Sequence, residues 1–171
     1  MTSNNTKAQD LLREAIGHLH NKNNYECLKC LLEAYSINPN LEGLNYTLGY
    51  YSHQQVEYYL SYTFLKKELE LYPNMQKNIK EELCYLLAWD ASNLGKCDEA
   101  IIYLKESLNL NASRHNHYSD LIYMANHAYS FNDFTIGNLA CTAYQNCFEK
   151  QLETERKIIK TRLKKQKYFQ S

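Results

Sequence analysis

The sequence has few of the residues that form tight turns: its 171 residues include only two prolines and five glycines. A sheet protein of this size needs many turns, which draw on these two residue types. We therefore expect no β sandwich or barrel. Disorder is also disfavoured, because 44% of the residues are hydrophobic and only 22% are charged.

Long apolar runs are missing as well. No run approaches the roughly 20 residues of a membrane-spanning helix, and Met1–Asp10 lacks the apolar centre of a signal peptide. Without a secretory signal, the six cysteines are expected to be reduced thiols rather than disulfides. These absences predict a cytoplasmic protein.

No motif of a catalytic or nucleotide-binding site is present. The sequence has no glycine-rich phosphate loop, no nucleophile elbow and no HExxH zinc motif. We therefore predict a protein that is not an enzyme and needs no cofactor.

The best metal-ligand candidates are His18, His20, Cys27 and Cys30. Their chemistry suits zinc, and the two cysteines share a helical face. However, His18 and His20 are two residues apart on a helix, so their side chains point roughly 200° apart. We therefore expect no metal site, with the cysteines serving as small apolar residues.

Two prolines 34 residues apart, Pro39 and Pro73, each close a segment with helical apolar spacing. The stripe before the first consists of Cys27, Leu28, Leu31, Leu32 and Tyr35. A third copy begins at Leu86, with Gly95 at the turn between two helical stretches. A looser fourth copy runs from about residue 118 to residue 150. The chain therefore contains an internal repeat of helical pairs.

Small residues recur at matching places in these units. In the first helix they are Ala15, Gly49, Ala88 and Ala125. In the second helix they are Cys27, Ser61, Ala100 and Gly137, each followed four residues later by Leu31, Leu65, Leu104 or Cys141. Antiparallel helices approach closely only where a small side chain lies at their crossing. With this period and arrangement, the units resemble tetratricopeptide repeats over roughly residues 8–150.

The resemblance implies an all-α fold: a right-handed stack of about three to four hairpins. Residues 1–7 are expected to form a polar N-terminal segment, and 8–150 the repeat domain. From 146 to 171, an apolar stripe (Phe148, Leu152, Ile159 and Leu163) surrounded by cations predicts a long basic capping helix. Five extra residues near 74–78 predict an irregular superhelix. An unrelated helical bundle is the alternative.

In tetratricopeptide arrays, the first helices of successive hairpins line a concave groove. The resemblance places these residues there: Leu12, Ile16, Tyr46, Tyr50, His53, Tyr85, Trp89, Ile122, Asn126 and Tyr129. The best-known groove of the family binds carboxy-terminal peptides through lysine, arginine and asparagine, of which only Asn126 is matched. An apolar or aromatic partner segment, peptide or helix, therefore fits better. The alternative is that these tyrosines belong to the core.

Three functions follow from these features. The first is an adaptor or chaperone-like scaffold that binds a protein partner in the groove. The second is self-association, as a homodimer or larger assembly. The third uses the basic stretch 156–171, which holds seven of the 19 basic residues and no acidic one, to bind nucleic acid or an anionic membrane. A solvated capping helix explains that stretch better.

Overall fold

Six α-helices in consecutive antiparallel pairs make up the computed structural model, which describes residues 2–110 without the side chains of residues 2, 3, 97, 98 and 108. The helices are α1 (Thr2–His20), α2 (Asn24–Ile37), α3 (Leu44–Gln54), α4 (Tyr58–Leu71), α5 (Lys77–Asn93) and α6 (Cys97–Leu110). Each pair packs as a hairpin: hairpin 1 (α1 and α2), hairpin 2 (α3 and α4) and hairpin 3 (α5 and α6). The predicted all-α, tetratricopeptide-like stack is confirmed. The predicted fourth hairpin and the capping helix lie outside the described residues.

The first helix of every hairpin ends in the same way. Lys22, Val56 and Gly95 have positive φ angles of 57°, 65° and 70°. The next N–H donates to a carbonyl five residues earlier: Asn23 to His18, Glu57 to Ser52, and Lys96 to Ala91. This is the Schellman arrangement, which satisfies the last carbonyls of a helix and reverses the chain. The predicted turn at Gly95 is confirmed.

The second helices of hairpins 1 and 2 end at the two prolines, as predicted. α2 ends at Ile37 and α4 at Leu71, in each case two residues before the proline. The residue between, Asn38 in the first case, has the extended backbone that a following proline favours. The 34-residue spacing therefore marks equivalent ends of two hairpins.

The small residues that the sequence predicts at helix crossings are buried. Ala15, Cys27, Ser61, Ala88 and Ala100 are fully buried, and Gly49 is buried as well. At Gly49, an added Cβ would lie 2.5 Å from Cγ of Leu65 and 3.2 Å from the carbonyl oxygen of Ser61. Only glycine lets α3 and α4 approach this closely. Ala125 and Gly137, the predicted fourth-unit equivalents, lie outside the described residues.

A single core continues from hairpin 1 into hairpin 2. Its buried residues are Ala8, Leu12, Ala15, Cys27, Cys30, Leu31, Ala34, Leu41, Leu44 and Leu48. α1 begins at Thr2 and Ala8 is completely buried, so residues 2–7 belong to the first helix. The apolar stripe predicted on α2 is narrower than expected, since Leu32 is 55% exposed. Cys30 and Ala34 take part in the buried face instead.

Polar contacts tie the hairpins together. Between hairpins 1 and 2, Nζ of Lys67 donates to the carbonyl of Pro39 at 2.9 Å. Between hairpins 2 and 3, the Tyr62 hydroxyl donates to the Glu99 carboxylate. Burial and this carboxylate raise the pKa of Tyr62 to about 12. Within residues 2–110, no helix has the length and apolar character needed to cross a bilayer.

Candidate partner-binding groove

A cavity of about 700 Å³ opens between the first helices of hairpins 1 and 2. We call it the α1–α3 cavity. Its lining consists of Leu12, Ile16, Leu19, His20, Lys22, Glu42, Gly43, Tyr46, Thr47, Tyr50, Gln54 and, from α5, Glu82. The structure thus brings together four residues of the predicted groove, namely Leu12, Ile16, Tyr46 and Tyr50.

Helical periodicity explains this lining. Tyr46, Tyr50 and Gln54 are four residues apart along α3, so their side chains share one face. The rings of the two tyrosines are stacked, with centroids 6.3 Å apart and an interplanar angle of 25°. On α1, Ile16 and His20 are related in the same way. His20 and Gln54 were absent from the predicted groove, although this spacing could have indicated both.

The charges at the cavity have an order along its length. Leu12 of α1 lies beside Gly43, since a Cβ added to Gly43 would be 3.8 Å from Cδ2 of Leu12. Glu42 immediately precedes Gly43 in the chain. Lys22 follows the opposite end of α1. The chain reverses between α1 and α2 and again between α2 and α3, so α1 and α3 run in the same direction. Glu42, before α3, and Lys22, after α1, therefore lie at opposite ends of the cavity. One end is therefore acidic and the other basic.

A buried carboxylate holds the acidic end in place. Glu68 of α4, 3% exposed, accepts a hydrogen bond from the N–H of Gly43 at 2.6 Å. Gly43 precedes α3 with φ of 82°, a conformation that glycine adopts without strain. Burial raises the pKa of Glu68, while backbone N–H groups of Gly43, Tyr46 and Asn45 act in the opposite direction. Glu68 therefore caps α3 from the neighbouring helix and fixes the start of the tyrosine face.

The predicted groove residues of α5 lie elsewhere. Tyr85 is 8% exposed and belongs to the core, Trp89 is half-buried, and neither lines the α1–α3 cavity. α5 contributes Glu82 instead. His53, predicted for the same groove, contacts the fully buried Asp90, with Nδ1 2.7 Å from Oδ1. This pair joins α3 to α5 and serves the packing of hairpin 3 on hairpin 2.

The remaining predicted groove residues, Ile122, Asn126 and Tyr129, lie outside the described residues.

The four metal-ligand candidates of the sequence analysis do not lie together in the structure. His20 lines the α1–α3 cavity, and Cys27 is fully buried on α2. His18 and Cys30 do come together, and Glu14 joins them: one ligand atom from each lies within 4.8 Å of the others. Glu14 was missed, although it lies one helical turn before His18.

Comparison with known proteins gives structural neighbours but no sequence relatives. No protein-family profile matches the chain, and no curated protein matches it in sequence. Among solved structures, the chain is similar to "MamA RS-1 ArsTM double mutant", with a TM-score of 0.65 and 12% identity, covering 84% of this chain and 76% of that one. It is also similar to "MamA MSR-1 C2", with a TM-score of 0.64 and 20% identity, covering 86% and 78%.

At these identities the likeness concerns the fold. MamA is a tetratricopeptide-like helical repeat protein. The hairpin geometry, the small residues at the crossings and these neighbours agree, and the fold of this chain is a tetratricopeptide-like stack of helical hairpins.

Proposed function

We propose that this protein is a non-catalytic scaffold that holds a segment of a partner protein in the α1–α3 cavity. One observation carries the proposal: Tyr46 and Tyr50 stand half-buried and stacked at an open cavity whose other wall is aliphatic. Tyrosine combines apolar area with a polar tip and loses little conformational entropy on binding, which is why it anchors many interfaces.

The size of the cavity suits several side chains of a peptide or of one helix face. Its volume of about 700 Å³ lies within the roughly 300–1,000 Å³ that binding clefts occupy. Leu12, Ile16 and Leu19 offer aliphatic contact opposite the tyrosines. We therefore expect the partner segment to present apolar or aromatic anchors.

Charge order gives the partner segment a direction. Glu42 lies at one end of the cavity, Glu82 adds a second carboxylate to the lining, and Lys22 lies at the other end. A basic residue beside the apolar anchors would meet the carboxylates, and an acidic residue at the far side would meet Lys22. A helix bound with its N-terminus toward Glu42 would gain from its macrodipole as well.

A peptide library displayed on phage and selected on the purified chain would test this proposal. We expect enriched peptides to carry aromatic or aliphatic residues next to a basic residue. Tyr50→Ala should weaken their binding by about thirtyfold, because truncating an interfacial aromatic anchor commonly costs about 2 kcal/mol or more. Fluorescence anisotropy of a labelled selected peptide measures that change.

Tyr25→Ala is the matched control, because Tyr25 is 76% exposed on α2 and does not line the α1–α3 cavity. This variant should bind like the wild type, and both variants should melt like the wild type. Equal affinity of the two variants for the selected peptide would refute the groove. Unfolding of Tyr50→Ala alone would place Tyr50 in the core.

A second function, self-association, is favoured by apolar side chains on the second helices. They include one residue on each second helix: Leu32 at 55%, Tyr59 at 67% and Ile102 at 64% exposed. Another copy of the chain could cover them. Size-exclusion chromatography with light scattering would show a dimer or larger species that Leu32→Ser and Ile102→Ser return to monomer. If the chain remains a monomer at high concentration, self-association is refuted and peptide binding is the only one of the two functions left.

We also propose a cytoplasmic location. Cys27, Cys30 and Cys84 are free and buried, which suits a reducing compartment. Alkylation of the freshly isolated, unfolded protein without reductant should modify all three. Protection that reductant removes would argue for an oxidising compartment.

A further inference from the structure

Three potential metal ligands meet on the side of hairpin 1. Glu14 and His18 are one turn apart on α1, with Nε2 of His18 3.6 Å from Oε1 of Glu14. Cys30 of α2 brings its sulfur to the same place, and the three ligand atoms all lie within 4.8 Å of one another. None of these side chains lines the α1–α3 cavity.

The three ligand types, thiolate, imidazole and carboxylate, suit a borderline divalent cation. Zinc binds thiolate, imidazole and carboxylate together, at bond lengths of about 2.0–2.3 Å. A tetrahedral site with such bonds places its ligand atoms roughly 3.3–3.8 Å apart. The trio therefore has to contract by about 1 Å, and the exposed Glu14 and the half-buried His18 have room to move.

The burial of the three residues is graded. Cys30 is 6% exposed, whereas the side chains of His18 and Glu14 are 27% and 61% exposed. The sulfur thus lies on the protein side of the site and the carboxylate on the water side. A metal held here would keep a fourth position open to water, as three-ligand zinc sites do.

The electrostatic surroundings also favour a cation. Burial raises the pKa of the Cys30 thiol, and the carboxylates of Glu14, Glu26 and Glu33 raise it further, while Lys29 opposes them. Glu26 and Glu33 are paired with Lys29 and Lys7, so the Glu14 carboxylate supplies the net negative charge near the sulfur. Coordination would release the thiol proton to solvent, and the thiolate and the Glu14 carboxylate would together balance the two charges of the metal.

The geometry points to a zinc-class metal site formed by Glu14, His18 and Cys30. This proposal differs from the sequence-based expectation of no metal site. It keeps His18 and Cys30 of the four sequence candidates and replaces His20 and Cys27 with Glu14. A bound metal would cross-link α1 to α2 beside their crossing. Hairpin 1 already buries an apolar core that continues into hairpin 2, so the metal adds to an existing fold.

Cobalt(II), which replaces zinc in such sites and is coloured, tests the proposal on the reduced 171-residue chain. We expect one equivalent of cobalt to produce a thiolate-to-cobalt charge-transfer band and the visible bands of low-coordinate cobalt. Zinc should then displace the cobalt stoichiometrically. Native mass spectrometry should show one zinc per chain, and zinc should raise the melting temperature.

Variants decide whether these three residues are the ligands. Cys30→Ser should abolish the charge-transfer band, and His18→Gln should weaken zinc binding by at least about tenfold, since even outer partners of metal ligands contribute that much. His20→Gln, two residues away on α1, and Cys84→Ser, in hairpin 3, are the matched controls and should bind like the wild type. Absence of the charge-transfer band in the wild type would overturn the proposal. Equal loss in His18→Gln and His20→Gln, or wild-type binding by Cys30→Ser, would also overturn it.

Discussion

Gly49→Ala is the sharpest test of the packing between α3 and α4. The new Cβ would lie 2.5 Å from Cγ and 2.7 Å from Cδ2 of Leu65, and 3.2 Å from the carbonyl oxygen of Ser61. Leu65 is fully buried, so its side chain has little room to give way. The contact with Ser61 involves backbone, so relief there requires the two helices to separate.

Two opposing effects set the magnitude. Replacing a mid-helix glycine by alanine gains about 0.5–1 kcal/mol of helix propensity, whereas overpacking a core costs about 1–3 kcal/mol. We expect a net loss of roughly 1–2 kcal/mol in the free energy of unfolding, or a melting temperature lower by roughly 2–8 °C. Urea denaturation followed by circular dichroism measures the first quantity.

Gly17→Ala is the matched control, because Gly17 is an exposed helical glycine with nothing within 4 Å of an added Cβ. This variant should be more stable than the wild type by about 0.5–1 kcal/mol. In a Leu65→Ala background, which removes the closest atoms, Gly49→Ala should lose most of its cost. If Gly49→Ala is as stable as Gly17→Ala, the close crossing of α3 and α4 is wrong.

Three further predictions concern local features. Val56→Gly should stabilise the protein by roughly 1 kcal/mol, because Val56 is 64% exposed and holds a β-branched side chain at a φ of 65°; a lower urea midpoint would contradict this. Ala100→Leu should destabilise the fold by about 1–3 kcal/mol or more, since Ala100 is fully buried at the crossing of hairpin 3, and a melt like the wild type would show that the crossing is misplaced. The raised pKa of Glu68 favours the protonated folded state, so its contribution to stability is present below the ordinary carboxyl pKa of 4.5 and is lost as the pH rises through the raised value. The stability of Glu68→Gln should not fall over this pH range. If the urea midpoints of the variant and the wild type depend on pH in the same way, this prediction for Glu68 is wrong.

The hairpin architecture could be predicted from the sequence because its determinants are local. The crossings at Ala15, Gly49, Ala88 and Ala100 each depend on one small residue and on the partner helix a few residues away along the chain. The prolines after α2 and α4 act on their own backbone. The αL residues Lys22 and Val56 escaped prediction, because neither residue type signals a positive φ.

The sequence predicted the lining of the α1–α3 cavity only in part, because its far wall depends on how the hairpins stack. The small residue Ala88, which the sequence predicts at the crossing with α6, is fully buried on α5. The orientation of α5 against α3 decides which α5 side chain reaches the α1–α3 cavity. The five extra residues before hairpin 3 make that orientation hard to predict from the repeat. Glu82 reaches it, and Tyr85 turns into the core. The trio of Glu14, His18 and Cys30 likewise needed the register of α1 against α2, which no single helix encodes.

The connections of three residues within each hairpin have a consequence for how quickly the chain folds. Each helix finds its main packing partner within about 35 residues, so little loop-closure entropy opposes the first contacts. Proteins dominated by such local contacts fold in microseconds to milliseconds. Because each of the three described hairpins has its own packed pair of helices, folding can begin in any of them and spread to its neighbours.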